Sequence, residues 1–175
     1  MKLLGYIWGV GGVLILLLFA IYRLAPMALA LEGASMEITH WACLAFSISY
    51  MAYAEGIKGF HQGFAPRLVK RALYLKQNPN ISHVIFAPFF CMGYFYATKK
   101  RQITSLGLTG LIVCFVILVR LISQPWRGIL DAGVVTGLTI GCGSILYFLY
   151  LSTIRAEAIS ISADFPWEEK EPQEA

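Results

Sequence analysis

Hydrophobic and polar positions form blocks along this chain, with long apolar runs separated by short charged stretches. Residues 3–23 are almost entirely apolar, and about 20 such residues make a helix that crosses a hydrocarbon core of about 30 Å. Three further runs of comparable character cover residues 38–56, 103–122 and 128–152. The pattern predicts an all-α, polytopic integral membrane protein, with one transmembrane helical domain over residues 1–155.

The composition supports lipid as the solvent of this domain. Of 175 residues, 58% are hydrophobic and only 14% are charged, whereas soluble domains are about 45–50% apolar and about 25% charged. A soluble domain of this size cannot bury so much apolar surface. The formal net charge is +4, but basic residues flanking apolar runs indicate membrane topology first. We expect no nucleic-acid partner.

The longest polar interval follows the second apolar run. Three glycines, Gly56, Gly59 and Gly63, predict a flexible or close-packed boundary there. Pro66 suits the first turn of a new helix. The residues after it place apolar side chains mainly on one face and basic ones on the other. We therefore predict a basic amphipathic helix over residues 66–78, lying in the headgroup layer.

Residues 81–98 are apolar and aromatic, but Pro88 and Gly93 interrupt them. If this segment dips in or lies flat, four spans place eleven Lys and Arg residues inside and three outside. If it crosses, five spans give eight inside and six outside. Positive charge concentrates in cytoplasmic loops. The count favours four transmembrane helices plus a re-entrant or interfacial segment, with five transmembrane helices as the alternative.

The four-span layout also predicts the location of the chain ends. Both termini would be cytoplasmic in a multi-pass protein of the cell inner membrane. Residues 156–175 carry six acidic residues and one lysine after Arg155. We expect this stretch to be an acidic, flexible tail.

A cluster at the inner end of the second span is the candidate site. Glu55 and His61 are the candidate catalytic residues, because a carboxylate and an imidazole are the usual general bases. A simpler interpretation is that Glu55 pairs with Lys58, and that the cations anchor the loop to anionic lipid headgroups. A metal site of Glu55, His61 and His83 is not expected, since the spacing matches no helical ligand pair. The candidate lipid- or phosphate-binding residues are Lys58, Arg67, Lys70 and Arg71.

The last span contains a GxxxGxxxG series, Gly133, Gly137 and Gly141. Glycines on one face let another helix approach closely. We favour packing within the chain, although a membrane-protein partner or self-association through this glycine face remains open.

Charged residues also occur near the outer ends of the last two spans. Arg127 and Asp131 are four residues apart on one helical face and can pair. Arg120, near the end of the preceding span, could join them as an outer ion pair. The simpler interpretation is an interfacial pair that fixes the helical hairpin, because arginines can extend toward the headgroups.

Three functions are compatible with these features. No nucleophile elbow, phosphate-binding loop or histidine box is present, so we expect no cofactor and favour a non-enzymatic role. The first hypothesis is an accessory, scaffold or assembly subunit of a membrane complex. The second is a protein that binds or modifies a lipid or prenyl-type substrate at the cytoplasmic headgroup layer. The third is a small permease, suggested only by weakly polar residues on the second span.

Overall fold

The structure is a computed structural model that describes residues 2–33, 35–78, 80–153 and 162–167. Over these residues the chain is helical and contains no β-strand. Three helical stretches are long and apolar enough to cross a membrane, Leu3–Gly33, Lys99–Val119 and Trp126–Ser152. The structure therefore agrees with the predicted all-α membrane class.

The helices follow one another with short connections. They are α1 (Lys2–Leu29), a 3₁₀ turn (Ala30–Gly33), α2 (Ile38–Met51), a π-helical segment (Ala52–Phe64), α3 (Ala65–Gln77), α4 (Ile81–Ile85), α5 (Ala87–Met92), α6 (Lys99–Val119) and α7 (Trp126–Thr153). Helix α1 continues past the predicted end at residue 23 and contains Pro26. The predicted span 38–56 is not a single α-helix. Its first 14 residues are α-helical, and the π-helical segment follows them.

Residues 38–77 form one continuous helical stretch, so the break predicted around Pro66 is absent. In the π-helical segment each N–H reaches the carbonyl five residues earlier, as Ala65 N does to Phe60 O. Pro66 follows at the change from π- to α-helical hydrogen bonding. Its missing N–H therefore falls where the hydrogen-bond register already shifts, and the helix continues through it.

Helix α3 packs its apolar face against protein, so this face of the predicted basic amphipathic helix over 66–78 is not available to lipid. Leu68, Val69, Ala72 and Leu75 are fully buried, and α3 packs against α1, α5 and α7. The apolar face that suggested contact with lipid headgroups is instead part of the main core.

Helix α7 is the central element. It runs parallel to α2 and the π-helical segment, because His40 contacts Trp126 near one end and His61 contacts Ser144 near the other. It runs antiparallel to α1, because Leu31 lies beside Gly128. The first half of α1 packs against α4 and α5.

Helix α6 stands apart from this bundle. Of its 21 residues only Ser105 and Val119 are buried. A Cβ built on Gly107 or Gly110 would meet no atom within 4 Å. Most of its large apolar side chains are exposed on the protein.

Part of the predicted flexible tail is packed into the core. Ala163 and Phe165 are 1% and 4% exposed, respectively. The Asp164 carbonyl accepts a hydrogen bond from Thr98 N at 2.9 Å. The prediction of a flexible tail is therefore incorrect for residues 162–167, where burial of an aromatic side chain outweighs the surrounding acidic composition. Residues 156–161 and 168–175 lie outside the described part.

Candidate functional site

Arg71 is the most enclosed of the predicted phosphate-binding residues, at 2% exposure. Its Nε donates to Phe90 O at 2.8 Å and its Nη1 to Ala163 O at 3.0 Å. Its Nη2 donates to the carbonyls of Phe95 and Tyr96 at 3.0 and 2.9 Å. The guanidinium joins three separate parts of the chain, which is a structural use of its charge.

Aromatic rings surround this arginine. Its guanidinium carbon lies 4.6 Å from the Phe90 ring centre and 4.8 Å from that of Phe165, a range in which cation–π attraction is favourable. Tyr74 contacts Phe165 with ring centres 4.5 Å apart. Burial and the hydrogen bond with Tyr96 raise the pKa of Tyr74. The cluster fastens residues 162–167 to α3.

A second charged cluster lies beside Arg71 and consists of Arg67, Arg101 and Asp164. The sequence did not identify Asp164 as part of a site. Arg67 Nη1 is 3.1 Å from Asp164 Oδ2, and Arg101 Nε is 3.9 Å from the same oxygen. Arg67 also donates through Nε to Gly63 O at 2.8 Å. Asp164 was not identified because it lies in the acidic tail. The adjacent aromatic residue, Phe165, did indicate that this part of the tail could be buried.

The remaining predicted cations do not complete a four-residue phosphate site. Lys58 Nζ lies 5.0 Å from the Tyr53 ring centre, and Lys70 is half-buried on α3. Glu55 forms no ion pair with Lys58 or with any other described residue. Arg67 and Arg71 thus share one neighbour, residues 162–167, whereas Lys58 contacts Tyr53.

The two candidate catalytic residues both face α7, but they do not meet. Glu55 lies against Gly137, and His61 Nδ1 is 3.2 Å from Ser144 Oγ. Gly137 and Ser144 are seven residues apart, about 10 Å along an α-helix. The contact with Gly137 also places Glu55 beside the middle of α7.

The predicted packing glycines all contact the α2–π stretch. A Cβ at Gly133 would collide with Ser47, one at Gly137 would lie 2.9 Å from Glu55 Oε2, and one at Gly141 would lie 2.7 Å from Phe60. Ser47 Oγ also donates to Ile129 O at 3.0 Å. Within the described chain, this glycine face is already occupied.

The outer ion pair is present in part. Arg127 Nε is 3.7 Å from Asp131 Oδ2, and the Asp131 side chain is 4% exposed. At that distance the two atoms attract without a hydrogen bond. Arg120 is exposed, and it forms no ion pair with another described residue.

A laterally open groove of about 760 Å³ separates α6 from residues 82–95. The Tyr94 hydroxyl bonds to the Thr109 hydroxyl across it. Burial, with a smaller effect of the Arg71 charge, lowers the pKa of His83 at its edge. Hydropathy alone does not reveal this groove, which is lined by Ser82, His83, Phe86, Phe89, Tyr94, Phe95 and Thr109.

Comparison with known proteins adds no family assignment. No protein-family model, curated protein or solved structure matches the chain. Within the described residues, no group of three His, Cys, Asp or Glu side chains is arranged to hold a metal ion. Function must therefore be inferred from the surfaces and side chains described above.

Proposed function

We propose that this protein is an accessory subunit of a membrane complex, and that α6 is the helix on which its partner packs. The observation that carries this proposal is the isolation of α6. It is long and apolar enough to span a membrane, yet only Ser105 and Val119 are buried in the chain. An exposed apolar helix could also be covered by lipid alone. Further support for a protein partner therefore comes from the small residues of α6.

Most glycines on the other long helices are contact points within the chain, although Gly11 of α1 and Gly143 of α7 face open space. Gly9 and Gly12 of α1 face Cys91 and Pro88, and Gly141 of α7 faces Phe60. Gly107 and Gly110 of α6 face open space. Small residues allow close helix approach in membranes. The partner would therefore approach α6 at these two glycines.

The topology that best fits this role has four spans, with residues 81–98 re-entrant and both termini in the cytoplasm of an inner-membrane protein. Helices α4 and α5 have five and six residues, far fewer than the roughly 20 needed to cross. Pro88 lies against Gly12 of α1, and Thr98 returns to bond with Asp164. The charge distribution of eleven to three supports the same arrangement.

Site-specific photocrosslinking in intact membranes tests the docking helix. A photoreactive amino acid at Leu111 of α6 should give one discrete protein adduct, whereas Phe19 of α1, which is also exposed, should react mainly with lipid. Gly110→Ile should abolish the Leu111 adduct. Gly143→Ile is the matched control, because Gly143 also faces open space but lies on α7.

The outcomes separate the partner proposal from its alternatives. An adduct with the mass of two copies would identify the partner as a second copy of the chain. Lipid adducts alone at Leu111, or an adduct unaffected by Gly110→Ile, would contradict docking on α6.

The groove beside α6 favours a second candidate function, binding of a lipid or prenyl-type chain. Its aromatic lining suits an apolar chain, and Ser82 and His83 could contact a polar head. Glu55 and His61 do not line the groove, so this candidate covers binding without chemistry. Thr109→Phe should reduce lipid retained after mild extraction, measured by mass spectrometry, whereas Thr104→Phe on the exposed side should not. Equal lipid retention in both variants would count against the groove.

A further inference from the structure

Glu55 is a carboxyl group placed deep in the membrane domain. Its Oε2 would lie 2.9 Å from a Cβ on Gly137, so the glycine leaves just enough room for it. Gly137 is about 16 Å from the start of α7 and about 24 Å from its end. If α7 is centred in a core of about 30 Å, this point lies about 11 Å inside the nearer edge.

The π-helical segment keeps this carboxyl on α7. Glu55 and Phe60 both face α7, against Gly137 and Gly141 respectively. Five residues turn an α-helix by about 500°, which would place the two side chains about 140° apart. The wider π-helical turn brings both to the same face. Such turns often occur at functional sites.

The cations around Glu55 have other contacts. Among the described residues, no Lys, Arg or His side chain forms an ion pair with it. Lys58 lies over Tyr53, Arg67 pairs with Asp164, and Arg127 pairs with Asp131. Other titratable residues occur on its own segment and on the three helices nearest to it. They are His40, Cys43 and Tyr50 on α2, Tyr53, Lys58 and His61 on the π-helical segment, Arg67, Lys70, Arg71, Tyr74 and Lys76 on α3, and Arg127, Asp131, Cys142, Tyr147 and Tyr150 on α7.

We infer that Glu55 is a proton-binding site within the membrane, held beside Gly137 as the neutral carboxylic acid at neutral pH. A carboxylate at this depth in lipid would have no cation at ion-pair distance among the described residues, and an isolated charge in an apolar medium is neutralised by protonation. An ionisable group inside a membrane domain is a candidate for function. This inference does not depend on docking through α6.

Dicyclohexylcarbodiimide provides a chemical test, because it enters lipid and reacts with the protonated acid. The acid O–H adds across one C=N bond: the oxygen bonds to the central carbon and the proton goes to nitrogen. The O-acylisourea then rearranges to a stable N-acylurea, and no group leaves. The peptide containing Glu55 gains the mass of the whole reagent.

Asp131 is the matched control within the same protein. It is also a buried carboxyl on α7; burial disfavours its ionised form, but unlike Glu55 it has a cation nearby, Arg127 Nε at 3.7 Å, which favours that form. At pH 7 we expect labelling of Glu55 to exceed that of Asp131 by at least about tenfold. Above the Glu55 pKa the labelling rate should fall about tenfold per pH unit. Glu55→Gln should remove the labelled peptide.

Infrared spectroscopy of the wild-type protein provides a second measurement that does not require a variant to fold. The carbonyl stretch of a protonated carboxyl should be present at pH 7 and decline as pH rises. No labelling of Glu55 at pH 6 in the intact protein would overturn the inference. Labelling of Asp131 at an equal rate, or an ionised Glu55 at pH 6 by infrared, would also overturn it.

Discussion

Replacing Arg71 with methionine should open the packing around residues 90–96. The substitution retains an apolar stem but removes hydrogen bonds to four carbonyls, those of Phe90, Phe95, Tyr96 and Ala163. Water does not reach this 2%-exposed position in the packed state. The carbonyls of Phe95, Tyr96 and Ala163 would lose this donor unless the segment moves, whereas Phe90 O also accepts from Gly93 N at 3.1 Å.

The structure sets the size of the effect. A hydrogen bond from a charged donor contributes about 1.5–3 kcal/mol, so four give a ceiling of about 6–12 kcal/mol. Removing the buried charge also removes its desolvation cost, and local opening lets water reach the carbonyls. We expect a net loss of about 3–5 kcal/mol, the usual range when one partner of a buried charged interaction is removed. Local opening should become about 10²- to 10⁴-fold more frequent.

Cys91 reports this opening through its reaction with a thiol reagent. It is 2% exposed, and burial raises the pKa of its thiol to about 12. At pH 8 its thiolate fraction is therefore about 10³-fold below that of a free cysteine with a pKa of about 8.5. Alkylation by a membrane-permeant reagent should be measured peptide by peptide, with Cys114, which is exposed on the surface of α6, as the internal standard.

The direction of the result is diagnostic. The Arg71 charge opposes the rise in the pKa of Cys91, so removing it would slow reaction of the closed state. Faster labelling in Arg71→Met must therefore come from opening. Lys100→Met removes an exposed cation and should leave the rate unchanged. If Arg71→Met labels Cys91 at the wild-type rate, the four hydrogen bonds do not hold this segment.

Two further predictions concern helix contact and pH. Gly141→Ala should lower the thermal unfolding midpoint, at a cost of about 1–3 kcal/mol, because its Cβ would press on Phe60. Gly143→Ala should have little effect. Equal midpoints for the two variants would contradict the contact between Gly141 and Phe60. Burial and the Arg71 charge lower the pKa of His83. Between this lowered pKa and the ordinary value of about 6.5 the unfolded state binds more protons, so stability decreases as the pH is lowered through this range. His83→Gln should flatten the fall in unfolding midpoint below pH 6.5, and an unchanged slope would refute the assignment.

Hydropathy was sufficient to predict the apolar helices, but local residue signals misplaced the boundary between α2 and α3. Gly56, Gly59 and Pro66 indicate a break when they are considered alone. The structure continues through them because α7 contacts both sides of this stretch, at Gly56 and at His61. Tertiary packing thus overrides local propensity, and it places Glu55 beside the middle of α7.

The separation of α6 could not be predicted for a different reason. A helix that faces lipid and one that faces protein have the same hydropathy, and Gly107 resembles Gly137 in sequence. Only the structure distinguishes them, because Gly137 contacts Glu55 and Gly107 contacts nothing within 4 Å. The predicted glycine motif therefore indicated a helix contact on α7. It gave no information about α6.

The contacts of Arg67 and Arg101 limit what arginine substitutions can show about function. Arg67 and Arg101 both lie near Asp164, and Ser105 Oγ donates to Met92 O at 3.0 Å, so these contacts fix the beginning of α6. Loss of function in arginine variants would follow from a displaced α6 as readily as from a lost lipid phosphate. Substitutions on the exposed side of α6, such as Gly110→Ile, leave these ion pairs and hydrogen bonds intact. They can therefore separate partner docking from folding, which arginine substitutions cannot.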